Sequence, residues 1–153
     1  MQNYEAKLAH NPKELEAFLT PLVTAGIDIF HCSQRRFWEP EFEKSHLNLA
    51  GWVKKISSKP TITVGSIGLD ADFISNPDQR GFSEAEPASL NELLTRLDND
   101  EFDLIAVGRA LISNPNWVKH IQNNEDQKIK SFKKEHLRPV SYTHLRAHET
   151  QRY

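Results

Sequence analysis

Apolar residues recur at helical spacing in three segments of the chain, and a short apolar run follows each segment. Such a helix buries one face, and an apolar run directly after it is typical of a buried strand in a parallel sheet. The predicted strands begin near residues 27, 61 and 103, roughly 34 to 42 residues apart. This spacing suits the strand-plus-helix units of a parallel α/β fold.

The first helix is predicted from about residue 12 to residue 25. Asn11 is placed to cap its start, and Gly26 is placed to end it. Pro21 lies inside the pattern and has no backbone N–H for a helical hydrogen bond. The helix is therefore expected to kink at this proline or to restart with Thr20 as a new cap.

The three strands are predicted at residues 27–31, 61–64 and 103–107, as parallel neighbours in that order. Ser89 and Glu92 are spaced as a capping box for the helix before the last strand. A further helix, containing Trp117, Val118 and Ile121, is predicted to open at the pair Asn114 and Pro115.

Two stretches are polar and lack an apolar period. Residues 70–88 are predicted to form a loop insertion, and residues 123–136 a solvated helix or a frayed tail. Four oxygen-bearing residues of the first stretch are spaced somewhat like the ligands of a calcium loop: Asp70, Asp72, Asn76 and Asp78. That pattern lacks the central glycine and the closing glutamate of such a loop, so no metal site is predicted.

Glycine-containing turns follow the second and third strands. Their residues are Gly65, Ser66, Ile67 and Gly68 in one turn, and Gly108 and Arg109 in the other. Backbone amides in such turns can bind an anion, and an arginine can add a bidentate contact to phosphate oxygens. Glycine after a strand also serves simple chain reversal. Two such turns in consecutive units, the second with an arginine, favour a phosphate site.

Four segments together are similar to a known family. Residues 28–40, 47–52, 59–68 and 102–112 strongly resemble the Old Yellow Enzyme family of NAD(P)H-dependent flavin oxidoreductases. The resemblance implies that this α/β chain is the C-terminal part of an eight-stranded (β/α) TIM barrel and contains strands six to eight. One face of these strands would then lack the side chains that fill a closed barrel.

The same resemblance implies a cofactor and a reaction. The two glycine turns would hold the phosphate of flavin mononucleotide (FMN), with NADH or NADPH as hydride donor and an activated alkene such as an enone as substrate. The family's catalytic residues lie on earlier strands, so this chain is expected to contain none and to be inactive alone. His31 and His46 are not assigned that role.

The loop that follows the first strand allows two interpretations. Its central residues are Arg35, Arg36, Phe37 and Trp38. They could line the entrance for substrate or nicotinamide, because barrel enzymes place their sites on this side of the sheet. The loop could equally pack on the rim, with its arginines paired to Glu39, Glu41 and Glu43.

The composition of the chain limits the classes of binding partner that are expected. The formal net charge of the 153-residue chain is -2, so nucleic acid and anionic membranes are not expected to bind. No apolar run has the length of a membrane span, and the N-terminal residues have no hydrophobic signal core. A cytoplasmic protein with a small-molecule substrate is expected, and the intact protein could be a homo-oligomer. The single Cys32 is expected to be a small buried residue.

The expected division is a barrel portion at residues 10–123 and a polar tail at residues 124–138. Residues 139–153 resemble translated sequencing-adaptor sequence and are set aside from the fold. Two other functions stay open. One is another phosphate-binding barrel, such as a dihydroorotate-type or nucleotide dehydrogenase, and the other is a noncatalytic half-barrel that serves as an interaction module.

Overall fold

The computed structural model describes residues 7–73 and 83–137. Within them, three parallel strands form one sheet in the order β1 (Phe30–Ser33), β2 (Thr61–Val64) and β3 (Leu104–Ile105). The α-helices of these residues are α1 (Pro12–Thr24), α2 (Leu49–Ser57), α3 (Asn91–Asp98), α4 (Arg109–Ser113) and α5 (Trp117–Gln122). Short 3-10 helices follow at Asp126–Lys128 and Lys134–Leu137. The fold is mixed α/β, and the predicted order of the parallel strands is confirmed.

Helix α1 begins as its sequence predicts. The Asn11 side chain accepts a hydrogen bond from the Glu14 amide at 3.0 Å. The predicted restart at Thr20 is wrong, because one helix runs through Pro21. The Thr20 hydroxyl does not cap a new turn but donates back to the Glu16 carbonyl at 2.8 Å. The flanking turns therefore keep the helix continuous despite the missing proline N–H.

Strand β1 begins later than its apolar run predicts. The Ile27 amide donates to the Leu22 carbonyl at 3.3 Å, so this residue closes the end of α1 rather than entering the sheet. Pairing begins where the Phe30 amide donates to the Pro60 carbonyl at 3.0 Å. Apolar character alone could not distinguish the helix end from the strand.

Strand β3 is shorter than predicted, although its pairing extends beyond the two assigned residues. The Asp103 amide donates to the Thr61 carbonyl, and the Ala106 amide donates to the Thr63 carbonyl. The Asp103 carboxylate also accepts a hydrogen bond from the Thr61 amide at 2.8 Å. Side-chain and backbone hydrogen bonds together fix β3 beside β2.

Two predicted helix caps are wrong. The Ser89 hydroxyl accepts from the Asn91 amide, but the Glu92 carboxylate turns to Arg96 and does not complete a capping box. The Asn114 side chain makes no cap for α5, because its amide and carbonyl bind the backbone of Lys130 at 2.9 and 2.8 Å. Asn114, which directly follows α4, thus holds the segment around Lys130 in place.

The chain after α5 packs on the rest of the domain. Phe132 is completely buried, and its backbone forms an antiparallel bridge with Ala85. The segment that was expected to be a polar tail therefore supplies a core side chain. Most residues around Phe132 are polar and at least partly exposed, so the sequence alone does not indicate that Phe132 is buried.

Helix α2 packs on β1 and β2, α1 packs on α2, and Cys32, Thr61 and Thr63 are buried on one face of the sheet. Burial raises the pKa of the Cys32 thiol to about 12, so the thiol stays protonated at neutral pH. On the other face, Ile29 is 41% exposed and Leu104 is 53% exposed. One side of the sheet is thus open in the described residues.

The open face predicts self-association that depends on Leu104. Leu104→Glu should weaken association about tenfold, since burying half of a leucine contributes on the order of 1 kcal/mol and a charge there opposes burial. Leu94→Glu is the matched control, because Leu94 is 45% exposed on α3. Sedimentation velocity over a concentration series measures the effect. Equal weakening by both variants would contradict a role for the open sheet face.

Candidate functional site

The two glycine turns lie side by side at the carboxyl ends of β2 and β3. A terminal nitrogen of Arg109 donates to the Ser66 hydroxyl oxygen at 3.2 Å, which joins the second turn to the first. This proximity follows from the parallel pairing of β2 with β3, because parallel strands end at the same edge. The structure therefore brings together the two turns on which the phosphate prediction depends.

The first turn needs glycine at both ends. Gly65 has φ +150°, and a Cβ on it would lie 2.7 Å from the Gln34 carbonyl oxygen. Gly68 has φ +68°, and a Cβ there would lie 3.0 Å from the Trp117 ring. Ser66 between them is also left-handed, with φ 52°. The turn is a specific backbone shape held by its neighbours.

Several amides of the two turns have no hydrogen-bond acceptor within residues 7–73 and 83–137. They belong to Ser66, Ile67, Gly68, Gly108, Arg109 and Ala110. Ile67, Gly68 and Ala110 are buried, and a buried N–H without a partner is rare and costly. These donors suit a ligand that carries several acceptor oxygens.

The Arg109 side chain is already bound within the protein. Its guanidinium donates to the Ala71 carbonyl at 2.6 Å and to the Asp72 carbonyl at 3.2 Å. It also lies over the rings of Phe73 and Phe132, at 5.6 and 5.4 Å from their centroids. Burial lowers the pKa of Arg109 from its ordinary value, while the charges of nearby aspartates oppose that change. The group stays cationic and is oriented by carbonyls.

The loop after β1 divides between core and rim. Phe37 is buried, its carbonyl accepts from the Asn48 side chain at 2.8 Å, and it lies edge-on to the Trp38 ring. It is not placed to stack on a ligand. The side chains of Arg35 and Arg36 are about one-third exposed. Of the four residues predicted to line an entrance, Arg35, Arg36 and Trp38 are partly exposed and Phe37 is buried.

The arginines of this loop share an acidic partner outside it. Arg36 pairs with Glu39, and this hydrogen bond raises the Arg36 pKa. Both Arg35 and Arg36 also pair with the carboxylate of Asp72, which is 1% exposed. Within the described residues, no ion pair joins these arginines to the other predicted partners, Glu41 and Glu43.

Asp72 is the site residue that sequence reasoning missed. Its sequence context suggests only a calcium loop, yet its carboxylate pairs with arginines, and the nearby Asp70 carboxylate accepts from the Glu86 amide. Asn76 and Asp78 lie outside the described residues. The available signal was an aspartate shortly after the glycine turn, with two adjacent arginines after the preceding strand.

Among the described residues, neither His31 nor His46 belongs to a group of three potential metal ligands. His31 is exposed on β1, and His46 lies 3.7 Å from the Glu101 carboxylate. No group of three potential metal ligands occurs in the part of the chain that the structure describes.

A cavity of about 620 Å³ opens elsewhere, between α2 and residues 99–101. Some of its lining charges are already paired: Lys54 binds Asp100 and Asp103, and Glu101 lies 3.5 Å from Arg96. No residue of either glycine turn lines it. We therefore place the candidate site at the turns, whose amides have no acceptor among the described residues, rather than at this cavity.

Comparison with known proteins does not assign the chain to a family. No protein-family model matches it, and no curated protein is significantly similar to it. None of the described helices has both the length and the apolar character needed to cross a membrane.

Proposed function

We propose that the chain is the C-terminal part of an FMN-dependent NAD(P)H oxidoreductase of the Old Yellow Enzyme type, built as a TIM barrel, and that its glycine turns hold the FMN phosphate. The observation that carries this proposal is the set of unpaired turn amides, at residues 66–68 and 108–110, beside Arg109. Phosphate oxygens would accept hydrogen bonds from these amides, and the Arg109 guanidinium would balance the negative charge of the phosphate.

The chain's own residues would position the cofactor. The turn amides would fix the phosphate, Ser66 would orient Arg109, and Gly65 would keep the turn against the loop after β1. When bound, the flavin supplies hydride transfer between reduced nicotinamide and an activated alkene. The resemblance to the family places the catalytic residues on earlier strands, so the proposal gives this segment a binding task.

The open sheet face supports the assignment to a larger barrel. Exposed Ile29 and Leu104 lie on the face where a closed barrel has its interior. The genomic sequence upstream of this segment should then encode five more strand-and-helix units in frame. An in-frame stop codon directly upstream would instead favour the noncatalytic interaction module.

Phosphate recognition can be tested on the chain itself at low protein concentration. In ¹H–¹⁵N spectra, FMN and inorganic phosphate should each shift the amides of Ser66, Gly68 and Gly108, whereas riboflavin should not. Arg109→Ala should weaken binding about 10- to 100-fold, the scale for a hydrogen bond to a charged group. Lys13→Ala removes an exposed charge on α1 and is the control.

The flavin ring would have no wall from this chain, so flavin should be lost on desalting and cyclohexenone should not be reduced. Shifts of equal size with riboflavin, or an unchanged affinity in Arg109→Ala, would contradict a phosphate site. Alkene reduction by the chain alone would show that it contains catalytic residues after all.

A further inference from the structure

Asp72 contacts both parts of the candidate site through different atoms. Its buried carboxylate lies 3.3 Å from the Arg35 guanidinium and 3.6 Å from that of Arg36. Its backbone carbonyl accepts a hydrogen bond from Arg109 at 3.2 Å. One residue therefore bridges the loop after β1 and the turn after β3.

The segment around Asp72 acts toward Arg109 as an internal ligand. The Ala71 and Asp72 carbonyls and the Ser66 hydroxyl take up the two terminal nitrogens of the guanidinium. An anion that binds Arg109 offers stronger, charge-assisted acceptors in competition with these carbonyls. Binding of the anion therefore loosens the hold of Arg109 on residues 71 and 72.

We infer that Asp72 is a positioning residue that couples anion binding at Arg109 to the conformation of the loop containing Arg35 and Arg36. When Arg109 releases the Asp72 backbone, the carboxylate of the same residue shifts relative to the two arginines. A buried carboxylate stays paired, so the arginines and their loop move with it. The inference rests on the proposed function only for the identity of the anion.

The coupling depends on a defined segment of the chain and not only on the proximity of the two parts of the site. Residues 71–72 transmit the coupling, because Arg109 either binds or releases their carbonyls. Anion binding at Arg109 and ion pairing of Asp72 with the loop arginines both shift the equilibrium between these two states. Phe37 reports on the loop, because its amide donates to the Gly65 carbonyl at 3.1 Å. Hydrogen exchange at the Phe37 amide therefore measures how firmly the loop is held.

The test measures that exchange in the full chain, with and without saturating inorganic phosphate. Phosphate should speed exchange at Phe37 about fivefold or more, within the usual range of coupling between sites. In Asp72→Asn the change should fall below about twofold, while phosphate still shifts the Gly68 and Gly108 amides. Asp98→Asn, at an exposed aspartate on α3 away from Arg109, should behave as the unaltered chain does.

Further variants keep the inference decidable. If Asp72→Asn does not fold, the double variant Arg35→Gln with Arg36→Gln removes both ion pairs from the other side and should also remove the phosphate response. If phosphate binds nowhere, the proposed function fails, and Arg109→Ala then decides the coupling: it should speed Phe37 exchange without any anion. The coupling is overturned if Phe37 responds to neither phosphate nor Arg109→Ala, or responds to phosphate equally after Asp72→Asn.

Discussion

Replacing Gly65 with alanine is expected to lower the free energy of unfolding by about 3 kcal/mol, the sum of backbone strain and overpacking. The φ of +150° is one that residues with a side chain rarely adopt, and the new Cβ would lie 2.7 Å from the Gln34 carbonyl oxygen and 3.1 Å from the Arg35 carbonyl carbon. These neighbours are backbone atoms and cannot rotate away. The turn or the adjoining loop must shift instead.

Two other glycines separate the causes of this effect. Gly26 has φ +91° but open space around it, so Gly26→Ala should cost only the backbone strain, about 1 kcal/mol. Gly108 has open space around it, but its φ of -104° and ψ of -100° lie outside the main regions for residues with a side chain, so Gly108→Ala should also cost only backbone strain, about 1 kcal/mol. Urea denaturation followed by circular dichroism measures all three. A loss below about 1 kcal/mol in Gly65→Ala would mean that the contact with Gln34 is easily relieved.

Asn48→Ala is expected to lower the free energy of unfolding by about 3 kcal/mol, from a lost helix cap and unsatisfied buried polar groups. The Asn48 side chain is completely buried and caps α2 by accepting from the Gly51 amide at 2.9 Å. Its amide nitrogen also donates to the Phe37 carbonyl at 2.8 Å and to the Thr63 hydroxyl at 3.3 Å. One side chain thus connects α2, β2 and the loop after β1.

The same substitution at Asn11 is the matched control. Asn11 caps α1 in an equivalent way but is exposed, so Asn11→Ala should lose about 1 kcal/mol for the cap alone. Thermal or urea unfolding of the two variants under the same conditions gives the difference. Equal losses would show that the contacts of Asn48 beyond α2 contribute little to stability.

Sequence patterns predicted the features that depend on nearby residues. The bounds of β2, the apolar stripe of α2 and the Asn11 cap of α1 all arise from side chains within a few positions of one another. The parallel order of the strands also followed, because alternating helices and strands constrain the chain connections. At these positions local propensity and burial favour the same structure, so the sequence alone predicts it.

The features that were missed depend on contacts between distant parts of the chain. Asp72 matters because of Arg35 and Arg36, and Asn114 binds the backbone of Lys130. Phe132 stands alone among polar residues, and only the fold shows that it is buried. A polar side chain looks the same in a sequence whether solvent or a buried partner satisfies it.

The candidate site was predicted in outline but not in its bonding. The turns containing Gly65 and Gly108 are adjacent, as expected from their positions after neighbouring strands. The sequence could not show that carbonyls at residues 71 and 72 take up Arg109, since those contacts depend on how the loop folds back over the turn.

The contact between Gly68 and Trp117 links two positions far apart in the chain and has an evolutionary consequence. The ring occupies the space into which any side chain at position 68 would extend. Relatives of this protein should therefore keep glycine at 68 wherever they keep tryptophan at 117, and a larger residue at 68 should appear only together with a smaller one at 117. The pair should vary as a unit, with the shape of the turn inherited alongside the aromatic residue that packs against it.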